Sequence, residues 1–195
     1  MTEYTNIIER AIDFANRRHA GAHRKGTTIP YILHPLEAAA ICAYLTKDPE
    51  VIAAAVLHDV VEDTGTPVRE IRIHFGERVA MLVANESENK REDQAAEDTW
   101  EIRKKETIVH LTACTDLDVK RVAFSDKLAN LRAIHCDHCA LGDKLWERFN
   151  QNDPAKIGWY YNSFLTCCSE LEKTPAYQEY KCLIEDVFHG NIAAL

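Results

Sequence analysis

Val51 to Asp63 reads VIAAAVLHDVVED, and the fold turns on how this stretch is read. Three consecutive alanines, Ala53 to Ala55, and a length beyond that of most buried strands favour helix despite the valines. Asp48 ahead of Pro49 supplies the start signal, an N-cap carboxylate followed by a proline in the first turn. A single helix through Asp63 puts His58 one turn from Glu62 and Asp59 one turn from Asp63, so their polar atoms gather on one side. An ionised carboxylate in so apolar a helix is costly unless a cation or a hydrogen-bond network compensates it. A divalent metal would do so through mixed nitrogen and oxygen ligands. The alternative is a helix end whose carboxylates point to water, and this stretch alone leaves both open.

Working outward, Tyr4, Ile7, Ile8, Ala11, Ile12 and Ala15 repeat at helical spacing and predict an amphipathic helix over 4–19. A polar loop from Ala22 to Pro30 follows, in which Arg24 and Lys25 stand before Gly26 as either phosphate or base contacts or a solvated turn. His34 stands before Pro35, which predicts a helix through Leu36, Ala39, Ile41 and Leu45. After the central stretch, Thr66 is a candidate cap, Pro67 opens a helix through Ile71 to Phe75, and Gly76 breaks the chain before Val79 to Val83. Asn85 to Asp98, NESENKREDQAAED, reads as an exposed loop or a frayed helix start.

Helical spacing resumes over Trp100 to Cys114 and over Val119 to Ile134. In the latter, Val122, Asp126, Ala129 and Ala133 share a face, which predicts a second buried carboxylate with Asn130 one turn on. His135-Cys136-Asp137-His138-Cys139 has no partner pair for a structural zinc site and is predicted to be a helix terminus and connecting loop. Asp153-Pro154 and Thr174-Pro175 open helices over 154–172 and 175–188, the first rich in core aromatics. No strand pair with turn chemistry and no internal repeat is found. The expected architecture is all-α, one domain over 1–195 with about eight to ten helices.

Composition narrows the function. Hydrophobic residues at 46% fit a globular chain. No apolar run is long enough to cross a bilayer, and the N-terminus is no signal peptide, so no membrane partner is expected and the cytoplasm is the default. With 31 acids against 23 bases the net charge is −8, and no basic tract suggests binding to nucleic acid. A phosphorylated ligand would have to be held by a few placed cations, a metal among them. The seven cysteines read as reduced thiols, several of them filling the core.

Taken together, His34, His58-Asp59 with Glu62-Asp63, and Asp126 with Asn130 could meet at one divalent ion, with manganese, iron or zinc suited better than calcium. In this order, His34-Pro35, His58-Asp59…Glu62-Asp63-Thr64 and Ser125-Asp126-Lys127-Leu128-Ala129-Asn130-Leu131-Arg132 resemble the HD-domain superfamily of metal-dependent phosphohydrolases. Within it the match is to the hydrolase domain of the RelA/SpoT family, in particular its single-domain small alarmone hydrolases. Arg24-Lys25-Gly26 before Tyr31-Ile32-Leu33-His34-Pro35, and Thr99-Trp100 through Arg103-Lys104, look like that family's nucleotide-binding segments. The resemblance runs in order from about residue 4 to residue 188.

It implies one Mn²⁺ held by His34, His58, Asp59 and Asp126, with Glu62 and Asp63 positioning and deprotonating the attacking water. Arg24 and Lys25 would hold the base and neighbouring groups of a purine nucleotide, and Asn130 its ribose or 3′ substituent. The implied reaction removes pyrophosphate from the 3′ position of guanosine tetra- or pentaphosphate, giving GDP or GTP. The alternatives are the same chemistry on adenosine alarmones or the NADPH 2′-phosphate, or a catalytically silent module that senses nucleotide. The partner is thus a small-molecule nucleotide, with a homodimer left open. Two departures from the family stand out: Ala123 replaces a lysine usual in the long bifunctional members, and the acidic segment Asn85 to Asp98 replaces a shorter valine-threonine-lysine stretch. With no synthetase, TGS or ACT region before Leu195, hydrolase activity alone is expected.

Overall fold

A computed structural model describes residues 3–87, 91, 93–190 and 192–193. Among the described residues there are ten α-helices: α1 Glu3–Arg18, α2 Leu33–Leu45, α3 Pro49–Leu57, α4 Val60–Thr64, α5 Val68–Phe75, α6 Glu77–Glu86, α7 Ala96–Ala113, α8 Leu117–Leu141, α9 Pro154–Cys167 and α10 Pro175–Phe188. Two 3₁₀ segments, Gly142–Arg148 and Ser169–Leu171, flank α9. Among the described residues the extended pairing is one isolated bridge, His23 to Pro30. The all-α expectation therefore holds. No described helix is long and apolar enough to cross a membrane.

The helices form two compact units, Met1–Ser87 with Asp116–Ala129, and Glu88–Thr115 with Asn130–Leu195. In the first, α3 is the centre. Every residue from Val51 to Leu57 is buried, and a helix apolar all round must be enclosed by its neighbours. It packs against α1, α2 and α6, and the small Ala53–Ala55 side chains let those axes come close. Burying a leucine such as Leu57 contributes about 1.5–3 kcal/mol. Phe14 of α1 meets Phe75 of α5 edge-on at 5.4 Å. Asp48 caps α3, its carboxylate accepting from the Glu50 N–H at 3.0 Å. Arg78 on α6 pairs with Asp48 at 3.3 Å and also with Asp118, tying the starts of α3 and α8 to one guanidinium.

In the second unit α9 packs against α7 and α10. Asp153 and Thr174 cap the last two helices as the sequence suggests, accepting from the Ala155 and Tyr177 N–H groups. Trp146 stacks on Phe188 at 5.7 Å, and Arg132 grips Glu179 through two hydrogen bonds of 2.6 and 2.7 Å.

Several boundaries differ from those read in the sequence. The central helix does not run unbroken to Asp63: α3 ends at Leu57, His58 and Asp59 form a turn, and α4 starts at Val60. His58 causes or seals this break, because its Nδ1 donates at 2.8 Å to the Ala55 carbonyl, the one an unbroken helix would offer to the Asp59 N–H. Thr66 does not cap α5; its hydroxyl pairs with that of Thr64 at 2.7 Å. Residues 135–139 are not a loop but the continuation of α8, with Cys139 Sγ 3.8 Å from His135 Nε2 one turn earlier. The predicted 154–172 helix stops at Cys167 and passes into 3₁₀ structure. Of the charged 85–98 segment, Asn85 and Glu86 close α6 and α7 begins at Ala96, while residues 88–90 and 92 lie outside the described residues. Among the cysteines Cys42, Cys167 and Cys168 are buried as core fillers.

Candidate metal centre

Three separated parts of the first unit deliver the polar cluster. His34 sits in the first turn of α2, where Pro35 is tolerated because first-turn N–H groups have no partner within the helix. His58 occupies the turn between α3 and α4, and Asp126 lies midway along α8. All three are buried, with 5%, 1% and 4% of their surfaces exposed. Buried titratable groups without mutual compensation would unfold such a core. Here they compensate one another.

The distances suit a coordination shell. His34 Nε2 lies 3.0 Å from Asp126 Oδ1 and 3.3 Å from Asp59 Oδ2. His58 Nε2 lies 3.0 Å from Asp59 Oδ2 and 3.4 Å from Asp126 Oδ1. The two imidazole Nε2 atoms are 3.2 Å apart. Donors about 2.1 Å from one ion stand about 3.0 Å apart at right angles and about 3.4 Å apart at the tetrahedral angle. The observed spread fills that interval, and His34, His58 and Asp126 form a triad able to hold a metal ion, all their donor atoms lying within 4.8 Å of one another. The hydrogen bond from His58 Nδ1 to Ala55 fixes the ring so that Nε2 is the atom left for a ligand, the usual arrangement of a metal-binding histidine.

Electrostatics agree. Burial pulls His58 toward neutrality, but the Asp59 and Asp126 carboxylates overcome it and hold the imidazole well above its ordinary range. Burial likewise raises Asp59, yet His58 and the hydrogen bonds from both imidazoles keep it well below the usual carboxylate range. For Asp126 the same burial is overcome by Lys127, whose ammonium pairs with Oδ2, and by His58. Two carboxylates that remain ionised in a buried site form a strong attractor for a cation, and their donor set fits a divalent ion.

The other sequence-derived candidates fall into place unevenly. Glu62, half-buried, and Asp63, exposed, are both on α4, where the Asp63 N–H donates to the Asp59 carbonyl at 2.9 Å. Arg24 is half-buried, its guanidinium 5.7 Å from the centre of the Tyr31 ring, and Lys25 is exposed beside it. Asn130 is half-buried one turn beyond Asp126 on α8 and belongs to the second unit.

Four neighbours of the cluster had no assigned place in the reading of the sequence. Tyr31 donates its hydroxyl to Asp59 Oδ2 at 2.7 Å, reaching the oxygen that faces both imidazoles. Burial, then the charges of Asp59 and Asp63, push the phenol far above its ordinary value, so it stays a donor. His19, just beyond α1, stacks on Tyr31 with ring centres 4.8 Å apart. Lys127 pairs with Asp126 as above. Glu86, at the end of α6, is pushed up to about 7, burial outweighing the opposing pull of Lys127. Tyr31 and Lys127 stand inside quoted motifs, but no spacing rule says where their ends reach. His19 and Glu86 look like ordinary polar helix ends.

Residues 11–144, which include His34, His58, Asp59 and Asp126, match the family model described as HD domain. The chain belongs to the HD-domain family. This HD domain is 37% identical over 132 residues to the guanosine-3′,5′-bis(diphosphate) 3′-pyrophosphohydrolase of Aquifex aeolicus, covering 68% of this chain and 18% of that protein. It is 35% identical over 139 residues to the human guanosine-3′,5′-bis(diphosphate) 3′-pyrophosphohydrolase MESH1, covering 69% of this chain and 72% of the relative. The chain thus spans less than a fifth of the Aquifex protein but over two thirds of the human one. Among solved structures it is similar to lmo0812 of Listeria monocytogenes, with a TM-score of 0.69 and 32% identity over 80% of this chain and 99% of that one. A metazoan SpoT orthologue that hydrolyses ppGpp shares the fold, with a TM-score of 0.69 at 20% identity over 94% of both chains.

Proposed function

We propose that this HD-domain hydrolase removes the 3′-pyrophosphate from guanosine tetra- or pentaphosphate, giving GDP or GTP and pyrophosphate, and that residues 1–195 act as one catalytic domain. The observation that carries the reading is the convergence of His34, His58, Asp59 and Asp126, at 3.0–3.4 Å, in a chain about a third identical to enzymes named for this hydrolysis. We assign these four side chains to one Mn²⁺. When bound, such an ion supplies positive charge to phosphoryl oxygens and lowers the pKa of a bound water toward neutrality.

The remaining work falls to the chain itself. Glu62 and Asp63, on α4 directly after the His58-Asp59 turn, orient the attacking water and accept its proton. The water oxygen bonds to the phosphorus next to the ribose, the bond from that phosphorus to the 3′ oxygen breaks, and the 3′ oxygen leaves with a proton. Tyr31 holds the Asp59 carboxylate in place through its Oδ2. Arg24 and Lys25 hold the purine and its neighbouring groups, and Asn130, by the family resemblance, the ribose or 3′ substituent. No covalent nucleophile is needed, so the cysteines take no part.

The test is incubation with Mn²⁺ and a panel of guanosine and adenosine 3′-diphosphate nucleotides and NADPH, scoring released pyrophosphate and phosphate. Pyrophosphate should come from the guanosine nucleotides and require the metal. Release of phosphate from NADPH alone, or no release from any substrate, would refute the substrate assignment.

A further inference from the structure

His19 is a charged-type side chain placed where such side chains do not belong without a reason. It stands one residue beyond α1, its backbone N–H still donating to the Ala15 carbonyl at 2.9 Å, so its position is set by the helix. Only 4% of its surface is exposed. Its ring lies against Tyr31, nearly parallel, with an interplanar angle of 29°. Its Nε2 is buried and has no hydrogen-bond partner among the described residues. A buried nitrogen left unsatisfied costs about 1–3 kcal/mol, and a cost of that size calls for a water, a ligand or a role at the site.

The role is indicated by the surroundings. The groups within electrostatic reach of His19 are Asp59 first, then Asp63, then the His58 and His34 imidazoles. Burial outweighs these carboxylates and lowers the pKa of the ring, so it is neutral and keeps one ring nitrogen as an acceptor and one as a donor. Tyr31, against which the ring stacks, reaches Asp59 with its hydroxyl and meets His34 edge-on at 5.9 Å, which puts His19 beside the cluster. Stacking on Tyr31, whose hydroxyl is fixed on Asp59, removes its freedom to swing away.

We propose that His19 Nε2 is a further hydrogen-bonding partner of the attacking water, holding it while the Glu62 and Asp63 carboxylates take its proton. This rests on the hydrolytic reading above and adds a residue to it. A water held by carboxylates alone can rotate; a further partner fixed by a stack restricts its lone pair to one direction. His19 takes no proton in this scheme and acts through position.

The experiment compares wild type, His19→Phe and His19→Gln in three measurements: melting temperature without metal, Mn²⁺ affinity by calorimetry, and kcat and KM for the guanosine nucleotide. Phe keeps the stack and removes the unsatisfied nitrogen; Gln restores a hydrogen-bonding group. His19→Phe should melt at the same or a higher temperature, bind Mn²⁺ within about twofold of wild type, keep KM and lose about tenfold to a hundredfold in kcat. His19→Gln should recover most of that kcat. An unchanged kcat in His19→Phe overturns the proposal. So does a lowered melting temperature with no recovery in His19→Gln, since that is the signature of packing. Wild-type turnover of the guanosine nucleotide is scored first. If that fails, the substrate reading fails by itself, and the three proteins are compared on whichever panel nucleotide wild type cleaves.

Discussion

Tyr31→Phe removes one hydroxyl from the candidate site and keeps its ring. The substitution deletes the hydroxyl that donates to Asp59 Oδ2 at 2.7 Å and leaves the ring that meets His19 at 4.8 Å and His34 edge-on at 5.9 Å. A hydrogen bond to a charged acceptor contributes about 1.5–3 kcal/mol net. If the phenol aligns the oxygen that faces both imidazoles, that energy is lost from metal binding, and about 1.4 kcal/mol is a tenfold change in affinity. The expected outcome is Mn²⁺ binding weakened about tenfold to a hundredfold, which is also the usual loss when a partner behind a metal ligand is removed. Calorimetric titration against a competing chelator measures it, and circular dichroism checks that the helices are intact. Mn²⁺ affinity within about twofold of wild type would refute the reasoning, because Asp59 would then be placed without Tyr31 or would not bind the ion.

The other expectations concern the cluster and its rim. His58→Ala and Asp126→Ala each delete a buried donor, so both metal retention and turnover should vanish; turnover surviving either change would remove the ion from the mechanism. Glu62→Gln should bind Mn²⁺ normally and lose about 10²-fold or more in kcat, and a wild-type rate would assign the proton to another group. Glu86 gives a pH signature. Its carboxyl is raised from an ordinary 4.5 to about 7, so its protonation favours folding: the contribution is full below pH 4.5 and is lost as pH rises through about 7. Denaturant unfolding in EDTA should therefore show wild type losing about 1–2 kcal/mol relative to Glu86→Gln between those values, the partial exposure of Glu86 reducing a ceiling of about 3. Parallel curves for the two proteins would contradict the burial of that charge.

Helical periodicity made much of the site legible before any coordinates. Asp126 falls on the apolar face of Val122 and Ala129, and a carboxylate so placed is found buried because the spacing leaves it nowhere else to go. His58 and Asp59 stand out in the same way against Val51 to Leu57. What could not be read depends on contacts between distant residues or on side chains competing with the backbone. The His58 ring takes the Ala55 carbonyl and divides the central helix, a substitution of one hydrogen bond for another that no propensity records. Tyr31 reaches Asp59 across 28 positions of sequence. The polar letters of 135–139 resemble a helix end, whereas on α8 they lie along a continuing helix.

The central claim is that one divalent ion sits among His34, His58, Asp59 and Asp126. Crystals grown with Mn²⁺ and measured at the manganese absorption edge test it most directly. One anomalous peak per chain is expected, within about 2.3 Å of both Nε2 atoms and of an oxygen from each aspartate. No peak there, or a peak held by other residues, would contradict it.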